Sequence, residues 1–165
     1  MTEQATRRSA LARGLALVGG LVGLGAAGEA TAAPGATTIV LYGRGLRGFS
    51  HDRRHGELPR AGDRLTFEGA LFDRPDGRRV GELHAAAFTL RGPGSTASAE
   101  RLELHTFVLE DGTLIGSGAG AASGGTFAIL GGTGRYAGAR GSYVVRRGRH
   151  EPGGDGAAEL VITLV

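Results

Sequence analysis

From Thr37 to Val165 the apolar residues alternate with polar ones or run in short blocks, and they never recur at the three-and-four spacing of a buried helix face. That pattern excludes a helical bundle. Glycine sharpens the point: 32 of 165 residues are glycine, which costs a helix interior about 1 kcal/mol relative to alanine, so the chain suits turns and strands instead. With 41% hydrophobic and 21% charged residues, the length fits one globular domain with a single core.

The strands read off in order. "TTIVLYGR" (Thr37 to Arg44) is β-branched and aromatic, and a polar, glycine-rich stretch follows from Gly45 to Gly62. "DRLTFEGALFD" sets Leu65, Phe67, Gly69 and Leu71 on one face against Arg64, Thr66 and Glu68 on the other. Pro75-Asp76-Gly77 is a tight turn before a strand from Val80 to Leu90, and Asp111-Gly112 is the turn of the next hairpin. Further strands span Gly125 to Leu130, Ala139 to Arg147 and Ala157 to Val165. Eight short strands without a repeat period predict an all-β fold, a closed eight-stranded antiparallel β-barrel.

"FAILGGTGRYAGARGSYVV", Phe127 to Val145, imitates a phosphate loop. The imitation fails, because the chain has no lysine and a strand follows where a dinucleotide fingerprint requires a helix. Gly131, Gly132, Gly134 and Gly138 are therefore structural turn residues at a barrel corner.

The amino-terminal segment reads as an address. Arg7, Arg8 and Arg13 precede an uncharged apolar run from Gly14 to Gly28, and Ala30-Thr31-Ala32 suits a cleavage site. Residues 1–32 are read as an export signal and 33–165 as the barrel domain, which places the mature protein outside the cytoplasm, secreted or extracytoplasmic. The arginine pair after Thr6 resembles a twin-arginine signal, although Ala10 stands where phenylalanine is usual, so twin-arginine and ordinary export both stay open. The apolar run is too short and too rich in glycine for a permanent anchor, and no membrane span is expected in the mature chain.

Composition removes several chemistries. There is no cysteine, hence no disulfide, thiolate metal site, thiol nucleophile or lipidated cysteine. All 19 basic residues are arginine, but the net charge is only +3. Arg78, Arg79, Arg101, Arg146, Arg147 and Arg149 are interspersed with Glu82, Glu100, Glu103 and Glu151, a solvated mixed-charge surface and no nucleic-acid patch. "SHDRRHGE" gathers His51, Asp52, His55 and Glu57, but nothing there argues for helix, so it reads as a polar loop and no metal site is assigned. Neither Ser95 nor Ser117 stands in a nucleophile elbow, and Glu68, Glu82, Glu103 and Glu110 are expected to face solvent.

Polar or aromatic residues that could reach a lumen are Tyr42, His84, His105, Tyr136 and Tyr143. Strand parity decides each, since a one-residue slip moves a side chain from lumen to exterior. If Ala87 faces inward, so do Leu83, Ala85 and Thr89, and His84 faces out. On the next strand either Leu102, Leu104, Thr106 and Val108 or His105, Phe107 and Leu109 line the inside.

Two segments, "GDRLTFEGALFDRPDGRRVGE" (Gly62 to Glu82) and "TFAILGGTGRYAGARGSY" (Thr126 to Tyr143), resemble the allene oxide cyclase barrel-like family, itself similar to plant dirigent proteins. The resemblance covers Thr37 to Val165 and implies a calycin-like barrel with an apolar cavity and no cofactor. Plant members associate as trimers, which leaves a homo-oligomer open. In the plant cyclases a glutamate on the first strand and a cysteine after the "VG" turn flank the epoxide. Here "TTIVLYGR" has no carboxylate, and alanine, Ala87, stands at the cysteine's place, so no catalytic residue is carried over.

The expectation that follows is a barrel that binds or guides a small hydrophobic molecule, with Tyr42, Ala87, His105, Tyr136 and Tyr143 as candidate ligand contacts. The alternatives are a cyclase or isomerase acting by confinement, for which His105 and Tyr136 are the candidates, and a packed barrel with no ligand.

Overall fold

The computed structural model describes residues 35–52, 57–92, 99–148 and 156–165. The expected export signal, His55, Arg149 and Glu151 lie outside the described residues. Eight strands run in chain order: β1 (Thr37–Ser50), β2 (Arg64–Phe72), β3 (Arg79–Arg91), β4 (Glu100–Leu109), β5 (Gly112–Gly120), β6 (Gly124–Gly132), β7 (Gly141–Arg147) and β8 (Gly156–Leu164). Each pairs antiparallel with the next, and β8 returns to β1 from Thr37↔Leu164 to Gly43↔Ala158, closing the barrel. Closure leaves no sheet edge to template aggregation.

Alternation dictates the walls. On β3, Leu83, Ala85, Ala87 and Thr89 are buried while Glu82, His84, Phe88 and Leu90 are exposed, as the strand's parity predicts. On β4 the inward set is Glu103, His105 and Phe107, and Leu102, Leu104 and Val108 face out. The register supplies the reason: Ala87 pairs with Glu103 and Ala85 with His105, so two small side chains on β3 leave room beside them for two large polar ones on β4. The expectation that Glu103 faces solvent is therefore wrong, whereas Glu68, Glu82 and Glu110 are exposed as expected.

Several strand ends differ from those expected, three of them in ways that reshape the barrel. β1 continues beyond Arg44 to Ser50, because a bulge between Arg44 and Arg47 bends it from its pairing with β8 onto β2. The hairpin after β4 turns on Glu110 and Asp111 instead of Asp111 and Gly112, since Leu109 already pairs with Gly112. The glycine corner holds a single 3-10 turn, Gly134–Tyr136, and β7 starts at Gly141, two residues later than Ala139.

The corner does turn the chain. Gly134 and Gly138 adopt φ of +60° and +77°, conformations that other L-residues rarely take. A Cβ on Gly132 would lie 2.7 Å from that of Tyr136, whereas one on Gly131 would meet only the Arg140 guanidinium at 3.8 Å, so Gly131 serves neither need. The corner docks on the β4–β5 hairpin, with the amides of Thr133 and Arg135 donating to the carbonyls of Thr113 and Asp111.

Candidate functional site in the lumen

One end of the lumen is filled by rings. Tyr143 stacks on Phe127 with centroids 5.2 Å apart and meets Phe107 edge-on at 5.2 Å; Phe127 also meets His105 edge-on at 4.9 Å. Gly116 of β5 makes space for the cluster, since a Cβ there would fall 2.2 Å from Tyr143 Cε1. Leu71, Leu114, Leu160 and Ile162 complete this core.

Beside the rings lies a chain of buried polar groups drawn from β4 and β7. Arg147 grips the Glu103 carboxylate with both terminal nitrogens, Nη1 reaching Oε1 at 3.2 Å and Nη2 donating to Oε2. The remaining Nη1 proton goes to the Ala121 carbonyl at 3.0 Å. Glu103 Oε2 also meets His105 Nε2 at 3.0 Å, and His105 Nδ1 meets the Tyr143 hydroxyl at 2.7 Å. Burial by itself would raise the Glu103 pKa, but the hydrogen bonds from His105 and Arg147 outweigh it and hold the carboxyl below the usual glutamate range. An ionised carboxylate only accepts, so His105 Nε2–H donates to it, and in the neutral imidazole Nδ1 accepts from the Tyr143 O–H. Burial first, and then the Glu103 charge, push the Tyr143 phenol well above its ordinary value, which keeps that proton in place.

Next to this network is a cavity of about 230 Å³. Leu46, Phe67, Leu83, Ala85, Val145, Ala158 and Leu160 give it apolar walls, with Gly48 and Ala157 also on its lining. Among the described residues its polar side chains are those of His105 and Arg147, both members of the network. Phe67 lies under two guanidinium groups, those of Arg147 at 5.7 Å and Arg101 at 6.0 Å from the ring centroid.

Of the five candidate contacts, His105 lines this cavity. Tyr143 is buried behind it, bonded to His105, and Ala87 is buried in the wall without lining the space. Tyr136 is buried in the glycine corner, where burial and the adjacent Asp111 carboxylate push its hydroxyl up to about 12. Tyr42 alternates with inward Leu41 and Gly43 and borders an outer groove with Arg44 and Arg146. His84 is exposed beside Glu82.

Residue types alone hid Glu103 and Arg147. The available signal was the spacing Glu103-x-His105-x-Phe107, three positions on one strand face, which the leucines between them masked. Arg147 belongs to the mixed-charge set expected at the surface, yet its side chain is only 14% exposed. Glu103, from the same set, is buried, whereas Arg78, Arg79, Glu82 and Arg146 do hold surface pairs, in Arg78–Glu110, Arg79–Glu82 and Arg146–Glu159. In the polar loop, His51 bonds Thr66 Oγ1 and Asp52 takes the Arg64 side chain. Among the described residues no cluster of three or more potential ligands could hold a metal, and no helix is long and apolar enough to cross a membrane.

No family model and no curated protein matches the sequence. Solved structures do. A pyocyanin demethylase matches at 26% identity and a TM-score of 0.58, covering 75% of this chain and 98% of its own. A pterocarpan synthase dirigent protein matches at 17% identity and a TM-score of 0.62, covering 78% of this chain and 94% of its own. The Diels-Alderase AbmU from Streptomyces koyangensis matches at 18% identity and a TM-score of 0.59, over 80% of this chain and 64% of its own. By their names, these neighbours are a demethylase, a dirigent synthase and a Diels-Alderase, and what they share with this chain is the fold.

Proposed function

We propose that this chain, which belongs to the allene oxide cyclase-like and dirigent-like barrel fold family, binds and orients a small, largely apolar organic molecule in its lumen. The observation that carries the reading is the apolar cavity of about 230 Å³ beside a buried polar network in which both Glu103 oxygens and both His105 nitrogens are bonded. The cavity is larger than the roughly 150 Å³ that admits benzene and smaller than the roughly 300 Å³ at which drug-sized pockets begin. That size fits one or two fused rings, with any remainder projecting through the mouth. Burial of ligand carbon, at roughly 25 cal/mol per Å², is the driving force. The reading uses no cofactor.

Binding comes before catalysis for a structural reason. Both nitrogens of His105 and both oxygens of Glu103 are already bonded, so neither residue offers an idle atom for proton transfer. A second reading, a cyclase or isomerase acting by confinement, draws on the same His105, which would have to exchange the Tyr143 hydroxyl for a substrate atom. A barrel that only binds leaves a reactive polyene or epoxide unchanged, whereas the second reading requires turnover that is lost in the His105→Phe chain.

Titrating the chain with a neutral bicyclic fluorophore tests the binding reading, and the absence of tryptophan leaves a clear optical background. Saturable binding in the wild type that weakens at least tenfold in Ala85→Phe is the expected result. Equal affinity in the two chains would place the probe elsewhere. We also propose that the protein acts outside the cytoplasm after cleavage following Ala32. Mass spectrometry of the exported protein should then find a mature amino terminus at Ala33, and an uncleaved cytoplasmic chain would contradict it.

A further inference from the structure

Arg147 has five N–H donors, and the fold uses three of them. One Nη1–H and one Nη2–H hold Glu103, and the second Nη1–H goes to the Ala121 carbonyl. Two are left over, Nε–H and the outer Nη2–H, and no acceptor among the described residues meets them. Within the guanidinium plane, Nη2 lies on the edge from which Nε–H points. The two spare donors are therefore parallel and form the lateral fork that matches the two oxygens of a carboxylate.

The fork belongs to a residue on the cavity wall. Glu103 and Phe67 hold the guanidinium from two sides, so little side-chain entropy is left for a ligand to remove. We propose that the lumen is specific for a small aromatic or apolar carboxylate, whose hydrocarbon part lies against Leu46, Leu83, Ala85 and Leu160 and whose carboxylate takes the free fork of Arg147. This rests on the lumen-binding reading above and adds the chemistry of the ligand's polar end.

Charge narrows the choice further. Glu103 already neutralises Arg147 within the wall, so a dianion such as a phosphate monoester would bring two charges against a locally neutral pair. A monoanionic carboxylate brings one. A planar carboxylate also suits the flat fork better than a tetrahedral anion does.

The test compares 2-naphthoate with its neutral isostere 2-naphthamide at pH 7, using the full chain and isothermal titration. The carboxylate should bind about tenfold more tightly, the order expected for charge-assisted over neutral hydrogen bonds. Its addition should also shift the Arg147 Nε–H resonance, and the amide should not. Arg147→Lys keeps a positive charge for Glu103 but has no lateral fork, so it should lose the preference while still binding 2-naphthamide. If that variant does not fold, the wild-type Nε–H resonance decides alone. Equal affinities in the wild type, an unmoved Nε–H signal, or a preference that survives in Arg147→Lys would overturn the proposal and leave lumen binding intact. If neither compound binds, the lumen-binding reading falls, and this proposal with it.

Discussion

Glu103 is fully enclosed and still ionised because Arg147 and His105 supply the hydrogen bonds that water would otherwise provide. Replacing it by glutamine leaves the guanidinium facing a neutral amide. Because Arg147 keeps 14% of its side-chain surface exposed, the loss should fall near the lower end of the range for broken buried pairs, about 3 kcal/mol. Urea denaturation of Glu103→Gln against the wild type measures it. The sign with pH follows from the lowered pKa: folding favours the charged form, so this stabilisation is complete above the unfolded glutamate value and disappears as pH falls through the lower folded one. The acid limb of stability below about pH 4 should thus be steeper in the wild type than in Glu103→Gln. Tyr143 behaves in the opposite sense. Its raised pKa means that folding favours the neutral phenol, so its contribution is present below about pH 10 and is lost at higher pH. In an ultraviolet titration Tyr136 should ionise near 12, and Tyr143 should stay protonated until the barrel unfolds in base. A third phenol fully ionised in a folded barrel would contradict the buried placement of Tyr143.

β5 shows how an element is shaped by what leans on it. Gly116 faces Tyr143, and a Cβ there would lie 2.2 Å from the ring and 2.8 Å from the Ala128 carbonyl. Gly116→Ala should therefore lower stability by about 1–3 kcal/mol, the usual cost of overpacking. Gly131→Ala is the matched control and should be close to neutral, because its Cβ would meet nothing nearer than 3.8 Å. Thermal or urea midpoints for the pair decide the matter, and equal losses would mean that glycine at 116 is not there for the ring. The sequence made the strands legible because alternation survives in β2 and β3, where Leu65 and Leu71, and Leu83 and Ala85, mark the inner face. It failed on β4 because both faces carry large apolar residues: Leu102 and Leu104 outside are 44% and 46% exposed, while Glu103 and His105 occupy the inside. A polar residue in a core is recognisable only with its partners, and those of Glu103 come from the same strand and from β7, 44 residues later. The continuation of β1 beyond Arg44 is hidden for a different reason, since a bulge breaks the period by which strands are read.

At the scale of the molecule, closure between β1 and β8 creates an interior that side chains fill unevenly. Rings occupy one part of it, and alanines at 85 and 158 leave the other open. The resemblance in sequence pointed to this barrel, and solved neighbours share its fold, while the network of Arg147, Glu103, His105 and Tyr143 is read from this chain's own geometry. The central claim is that the open part of the lumen is the binding site. Methyl-resolved NMR during addition of a neutral bicyclic compound tests it most directly. The account predicts saturable shifts at the methyl groups of Leu46, Leu83, Val145 and Leu160, which line the cavity, with those of the outward-facing Leu90, Leu102 and Leu104 unmoved. Shifts confined to the outward-facing leucines would contradict it.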